Sequence, residues 1–265
     1  MSDLAKKYKT LLALTIPDMK VFAPMTEVEI SKFCDIRERD FGIRPSKTYC
    51  DLLRISKGAS WYNDGVELNL ADPENMKKDE RWDVGAAFES ALVLSHMGNG
   101  DQILVDIKSN GEPGIMLYWE HDTPSLSVYC TDLASFFDVL IRNWNHPENT
   151  STDQDTWLEF ALFEPIEADR ELGIDTDDMT VDFDTAMHSK NPGFRKFAEQ
   201  AGPEYYFVNW NDKKPHSGAH FPDKWLERPS LRNDEDGLMF AMKKTNRKPS
   251  WFDLMLKKIT KSKYP

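Results

Sequence analysis

The chain has 265 residues, eight of them tryptophan, and a formal net charge of −12. That length can bury a real core as one large domain or two small ones, and the aromatic content excludes a disordered chain. No apolar run approaches the roughly 20 residues of a membrane-spanning helix, and the excess of acid makes nucleic acid a poor direct partner because most of the surface repels phosphate.

The opening stretch MSDLAKKYKTLLALTIPDMK has no apolar region followed by a small-residue cleavage site, so a cytoplasmic location is expected rather than secretion. Leu4, Tyr8, Leu11 and Leu12 fall at helical spacing, with Pro17 as the stop. Thr26 and Glu29 form a capping-box signature. The helix they start should bury Ile30, Phe33 and Cys34 and leave through Gly42. Pro45 suits the first turn of a second helix, with Tyr49, Leu52, Leu53 and Ser56 on one face as far as Gly58. Short strands are expected at Val66–Leu70 and Phe88–Leu94, on either side of the charged loop Asp72–Asp83.

The stretch from His96 to Asp122 organises the rest of the chain. Gly98-Asn99-Gly100-Asp101 reads as a turn. Ile103, Val105 and Ile107 then alternate with Leu104, Asp106 and Lys108 as in a half-buried strand, with Asp106 on the polar face. Asn110-Gly111 reverses the chain, and Gly114–Trp119 returns as a second strand ending in Glu120-His121-Asp122. This hairpin is too apolar to stand alone, so other elements must cover it. Leu126–Cys130 adds a further strand, and Asp132 caps an amphipathic helix through Leu133, Phe136, Phe137, Leu140, Ile141 and Trp144. Helices, then strands, then a helix imply an α+β fold, with helices packed on a mainly antiparallel sheet. Cys34, Cys50 and Cys130 are odd in number, lack metal-ligand spacing and read as reduced, small apolar residues.

His146–Thr152 is polar and turn-prone, which divides the chain into a domain at 1–147 and a mixed α/β C-terminal extension at 148–265. Residues 148–184 hold 13 acids against the single base Arg170, whereas 185–265 hold 16 bases and 9 acids. An acidic band therefore precedes a basic tail. Within the extension, Thr156 and Glu159 repeat the capping-box spacing. Asn191-Pro192 can begin a helix through Phe194, Phe197, Ala198 and Ala201, with Gly202 at its end. Tyr205–Trp210 and Leu238–Met242 read as strands, and Trp251, Met255 and Ile259 as one stripe of a terminal helix.

Several of these motifs resemble the SUKH superfamily, which joins the Smi/Knr regulators of fungal cell-wall assembly to bacterial immunity proteins against polymorphic toxins. Thr26-x-x-Glu29-Ile30 leading to Phe41-Gly42-Ile43-x-Pro45-x-x-x-Tyr49-x-x-Leu52-Leu53 is similar to its opening helix pair. Gly58 stands where that family has an Asn-Gly pair, with Lys57 in place of the Asn. Gly98–Asp106 resembles its Gly-Asp strand, Tyr118–Asp122 its acidic-histidine strand end with the two acids exchanged, and Leu133–Trp144 its closing helix. The match covers about 26–145. It implies an α+β binding protein rather than an enzyme, with no cofactor and no metal.

Enzyme readings have some residues to draw on. His96, Asp101, Asp106, Glu120, His121 and Asp122 are close in sequence and could supply metal ligands or a general acid–base pair. They equally suit a turn cap at Asp101, a polar strand face at Asp106 and a solvated strand end at 120–122. His216 and His220 are four apart, but Pro215, Gly218 and Pro222 argue against a helix and for a loop. No Gly-x-Ser-x-Gly turn or phosphate-binding glycine loop occurs.

The resemblance implies two possible functions. One is immunity: binding a cognate protein toxin, basic and often a nuclease, and occluding its surface. The other is a non-catalytic signalling or cell-wall scaffold of the Smi/Knr type. Low-complexity arms do not flank the matched region in this sequence, which favours immunity. On that reading the partner-binding charge comes from Asp175, Asp177, Asp178, Asp182 and Asp184 in the acidic band, and from Glu120 and Asp122 at the hairpin end. The competing view makes the band a solvated connector.

Overall fold

A computed structural model describes residues 2–16, 19–61, 66–76, 91–96, 101–120, 125–144, 180–210, 218–220, 230–233 and 238–244. The capping pair at 156 and 159, the boundary at 146–152, the terminal stripe at 251–259 and most of the acidic band lie outside these residues.

The first helix, α1 (Asp3–Leu12), is capped by Ser2 and buries Ala5, Tyr8 and Leu11. It ends at Leu12, before Pro17 is reached. Helix α2 (Glu27–Phe41) begins with the expected capping box: Thr26 Oγ1 accepts from the Glu29 amide at 3.3 Å, and Glu29 Oε2 accepts from the Thr26 amide at 2.7 Å. Its buried residues, Ile30, Phe33, Cys34, Arg37 and Phe41, recur at helical spacing, and Gly42 makes the left-handed exit. Helix α3 (Lys47–Leu53) is capped by Ser46, so Pro45 lies just before the cap rather than inside the first turn. Tyr49 and Phe33 stack across the pair, and the Tyr49 hydroxyl donates to the Leu70 carbonyl at 2.7 Å.

Gly58 opens a strand rather than closing the helix. Strands β1 (Lys20–Val21), β2 (Gly58–Trp61) and β3 (Val66–Asn69) form a small antiparallel sheet in chain order. Gly58 has φ +148°, and a Cβ there would lie 1.7 Å from the Leu68 carbonyl oxygen, so β3 can approach only a glycine.

The central sheet has five antiparallel strands in the order β4 (Leu92–His96), β5 (Gln102–Ile107), β6 (Pro113–Glu120), β7 (Ser125–Cys130) and β9 (Gly218–His220). The hairpin read from the sequence is β5–β6. Its turn is a short loop in which Gly111 donates to the Lys108 carbonyl and Asn110 Oδ1 accepts from the Glu112 amide. Gly111 has φ +80° and sits 2.2 Å, counted from a notional Cβ, from the Arg44 carbonyl oxygen, while its own carbonyl accepts from the Ser46 amide. The turn is thereby seated on the α2–α3 connection.

One face of this sheet meets α1, α2, α3 and α4 (Leu133–Trp144). Leu92, Leu94, Ile103, Val105, Met116 and Tyr118 pack there with Tyr8, Phe33, Phe136, Phe137 and Leu140. Asp132 Oδ1 caps α4 through the Ser135 amide at 2.7 Å. Tyr8 and Phe137 stack at 5.1 Å, a contact worth about 0.5–1.5 kcal/mol beyond burial.

The other face is covered by the C-terminal extension. Strands β8 (Tyr205–Asn209), β10 (Ser230–Asn233) and β11 (Met239–Lys243) form a second antiparallel sheet, ordered β10-β11-β8. Val208, Trp210, Phe240 and Met242 pack on Val93, Leu104, Leu117, Trp119 and Val128. Phe207, Met239 and Ala241 point outward to α5 (Phe183–Met187) and α6 (Pro192–Ala201), where Phe194, Phe197 and Ala198 complete a third cluster. The order of layers is helices, five-stranded sheet, three-stranded sheet, helices, an α+β fold with only antiparallel pairings among the described strands.

Double coverage corrects the reading of β5 as half-buried. All six of its residues are buried, and Asp106, expected on a solvated face, is 2 % exposed. Its carboxylate takes a two-pronged contact from Arg232 of β10, at 2.6 and 2.8 Å. Gly114 on β6 makes room for it, since a Cβ there would lie 3.0 Å from Asp106 Oδ2.

Candidate functional site

The acids expected to meet a partner fall in different places. Asp182 is the N-cap of α5, exposed, with Oδ1 accepting from the Thr185 amide at 2.8 Å. The Thr185 backbone N–H, with its hydroxyl and the more distant Lys244 charge, holds the Asp182 carboxyl below the usual carboxylate range. Just before it, Val181 bridges to Phe207 of β8 in both directions at 2.9 Å, which anchors the start of α5 to the three-stranded sheet. Asp184 lies in the first turn of α5, exposed, beside a shallow groove lined by Val181, Thr185, His188, Ser189 and Phe194. Two acids at a helix start agree with the helix dipole. Glu120 ends β6, its backbone opposite Ser125 of β7. Asp122, Asp175, Asp177 and Asp178 lie outside the described residues.

A second acidic surface, on α2 and α3, behaves differently. Arg44 bridges Asp35 and Glu38 at 2.7 and 2.8 Å, and Arg54 holds Glu27 and Asp51 at 2.6 and 2.7 Å. Lys47 adds a contact to Asp51, and Arg39 pairs with Asp40. These carboxylates are answered locally, so their outward field is small. Neither Asp182 nor Asp184 makes an ion pair with a described residue. Of these two surfaces, the acids without an ion pair to a described residue are those at the start of α5.

The described candidate catalytic residues have different partners. Asp101 is buried and accepts from the Tyr118 hydroxyl, on the α1–α4 side of the sheet; the turn at 97–100 expected to carry its cap lies outside the described residues. Asp106, one face over, is committed to Arg232. His96 Nε2 lies 3.6 Å from Asp72, with Gln102 Nε2 3.5 Å from the other ring nitrogen. Among the described residues no group of three or more His, Cys, Asp or Glu is arranged to hold a metal. His220 belongs to strand β9 rather than to a loop, and His216 and His121 lie outside the described residues.

Two interactions have almost no signal in the sequence. Arg37 is buried, donating to the carbonyls of Asn75 and Ala91 at 3.2 and 3.3 Å, with its guanidinium 3.9 Å from the centre of the Phe41 ring. Asn75 in turn exchanges two 2.8 Å hydrogen bonds with the Val93 backbone, standing in for a strand partner of β4. Its one cue is an arginine at a buried helical position, one turn after Phe33 and Cys34. Arg232 carries none, because its partner lies 126 residues away.

Residues 24–139 match the model of the SMI1 / KNR4 family (SUKH-1). The resemblance read over 26–145 is thus shown for nearly that whole segment. Neither a curated protein nor a solved structure matches the chain. No helix among the described residues is long and apolar enough to cross a membrane.

Proposed function

We propose that this chain is an immunity protein that binds a cognate polymorphic toxin and neutralises it by covering its surface, without catalysis. The observation that carries this reading is the SUKH-1 match over 24–139, whose family joins toxin-immunity proteins with Smi/Knr regulators. The charge arrangement supports a basic partner. Acids on α2 and α3 are satisfied within the chain, whereas the band that ends at Asp182 and Asp184 contributes 13 acids against one base. A nuclease toxin is basic where it meets nucleic acid, and an acidic inhibitor gains both fast encounter and fit.

The test takes the protein encoded by the neighbouring gene as the candidate toxin. Full inhibition at one inhibitor per toxin, with co-purification, is expected; no binding and no protection of toxin-expressing cells would reject the reading. The charge assignment has its own readout. Steered association should slow steeply between low and physiological ionic strength, as the screening length falls from roughly 30 to 8 Å. Changing Asp175, Asp177 and Asp178 to Asn should lower the association rate several-fold with little change in dissociation. Unchanged kinetics in a triple variant that still neutralises would assign the band to solubility alone.

A further inference from the structure

Cys34 on α2 and Cys50 on α3 face one another inside the core. Their Sγ atoms are 3.4 Å apart, both thiols are free, and the residues are 3 % and 7 % exposed. A disulfide requires about 2.05 Å between sulfurs, so the sulfurs must approach by about 1.4 Å from the 3.4 Å observed. The connection between the helices that carry them is fixed: Gly42 ends α2, Ser46 caps α3, and the Ser46 amide donates to the Gly111 carbonyl at 2.8 Å. The two thiols are not equivalent. Either thiol can donate across the contact, and Cys50 Sγ can also donate to the Pro45 carbonyl at 3.9 Å; a hydrogen bond from Cys34, with the Arg54 and Arg44 charges, favours the Cys50 thiolate, and burial opposes it. Cys130, on β7, has no thiol partner, and burial pushes its own thiol up to about 12.

We propose that Cys34 and Cys50 form a redox modification site that closes to an intramolecular disulfide on exposure to hydrogen peroxide. The Cys50 thiolate attacks one peroxide oxygen and the O–O bond breaks. With the proton the thiol released, this leaves a sulfenic acid on Cys50 and one water. Cys34 Sγ then attacks Cys50 Sγ, the S–O bond breaks, and the Cys34 proton leaves with the hydroxyl as a second water. Two thiols lose two electrons and one peroxide becomes two waters. The bond ties α2 to α3 directly and restricts the unfolded chain, so it stabilises the fold.

The full chain, kept native, is treated with a small excess of peroxide, then denatured and titrated for thiols. Free thiols should fall from three to one, the mass should drop by about 2 Da, and digestion should yield a Cys34–Cys50 linked peptide. The melting temperature should rise, and dithiothreitol should reverse every change. A Cys130→Ser variant should lose the same two thiols, and Cys34→Ser should form no internal bridge. Three surviving thiols in the native chain, under peroxide that oxidises the denatured chain, would overturn the proposal. So would a bridge to Cys130, a bridge between chains, or Cys50 passing to the sulfinic acid with Cys34 still free.

Discussion

One face of the five-stranded sheet is covered by α1–α4, which lie within or beside the family-matched segment; the other is covered by β8, β10 and β11, drawn from beyond residue 200. Both faces exclude water equally well: Ile103 and Val105 on the first and Leu104 and Leu117 on the second are all at most 1 % exposed. They differ in how the cover is attached. The helical side carries local caps at Thr26 and Asp132 beside long-range contacts such as the Tyr8–Phe137 stack, whereas the strand side is held by contacts such as Asp106–Arg232 that span more than a hundred residues. An extension that looks appended in sequence is, in the fold, half of the sheet's core.

The comparison can be broken by emptying matched positions. Phe136 of α4 and Phe240 of β11 are 2 % and 1 % exposed, on opposite sides of the sheet. Each change to Ala should cost about 3–5 kcal/mol through lost burial and a residual cavity, read by denaturant unfolding of the full chain. A Phe240→Ala loss below about 1 kcal/mol would show that the second face contributes little to stability.

A smaller effect sharpens the local side. Thr26→Ala should cost about 1 kcal/mol by removing the hydroxyl half of the α2 capping box. The Thr26 amide, and then its hydroxyl, hold the Glu29 carboxyl below the ordinary carboxylate range. A depressed carboxylate stabilises the fold above its unfolded value and stops doing so as pH falls through the folded one. Because the alanine variant keeps the amide and loses only the hydroxyl, the gap between wild type and Thr26→Ala should be full at neutral pH and shrink in part below about pH 4, as urea titrations at several pH values would record.

The same division explains what is legible in the sequence. The capping box at Thr26 and Glu29, the hairpin around Gly111, the Asp132 cap and the Asn191-Pro192 helix start are set by residues within a few positions of one another, so spacing reveals them. The alternation in β5 correctly divides Ile103, Val105 and Ile107 from Leu104 and Asp106. It misassigns the second set to solvent because alternation reports which residues share a face, not what lies on it. Gly58 misleads for a related reason: a glycine after a helix looks like a stop, while its actual constraint is the Leu68 carbonyl of a neighbouring strand. Strands β9 and β10, three and four residues long, are too short to carry periodicity. At the candidate site, acid density points to the band at 148–184 as a whole, and the ion pairs that quiet the α2 and α3 acids appear only once the helices are folded together.

The most direct test of the extension as part of one core is a double-mutant cycle on Asp106 and Arg232. Asp106 is 2 % exposed and its partner's side chain 18 %, so removing either one strands a buried charge. Arg232→Met and Asp106→Ala should each cost about 3–5 kcal/mol, and the double variant should cost clearly less than their sum, with a coupling of about 2 kcal/mol. Additive losses within about 0.5 kcal/mol would mean that the two side chains do not meet in the folded protein, and that the C-terminal strands do not cover the second face of the sheet.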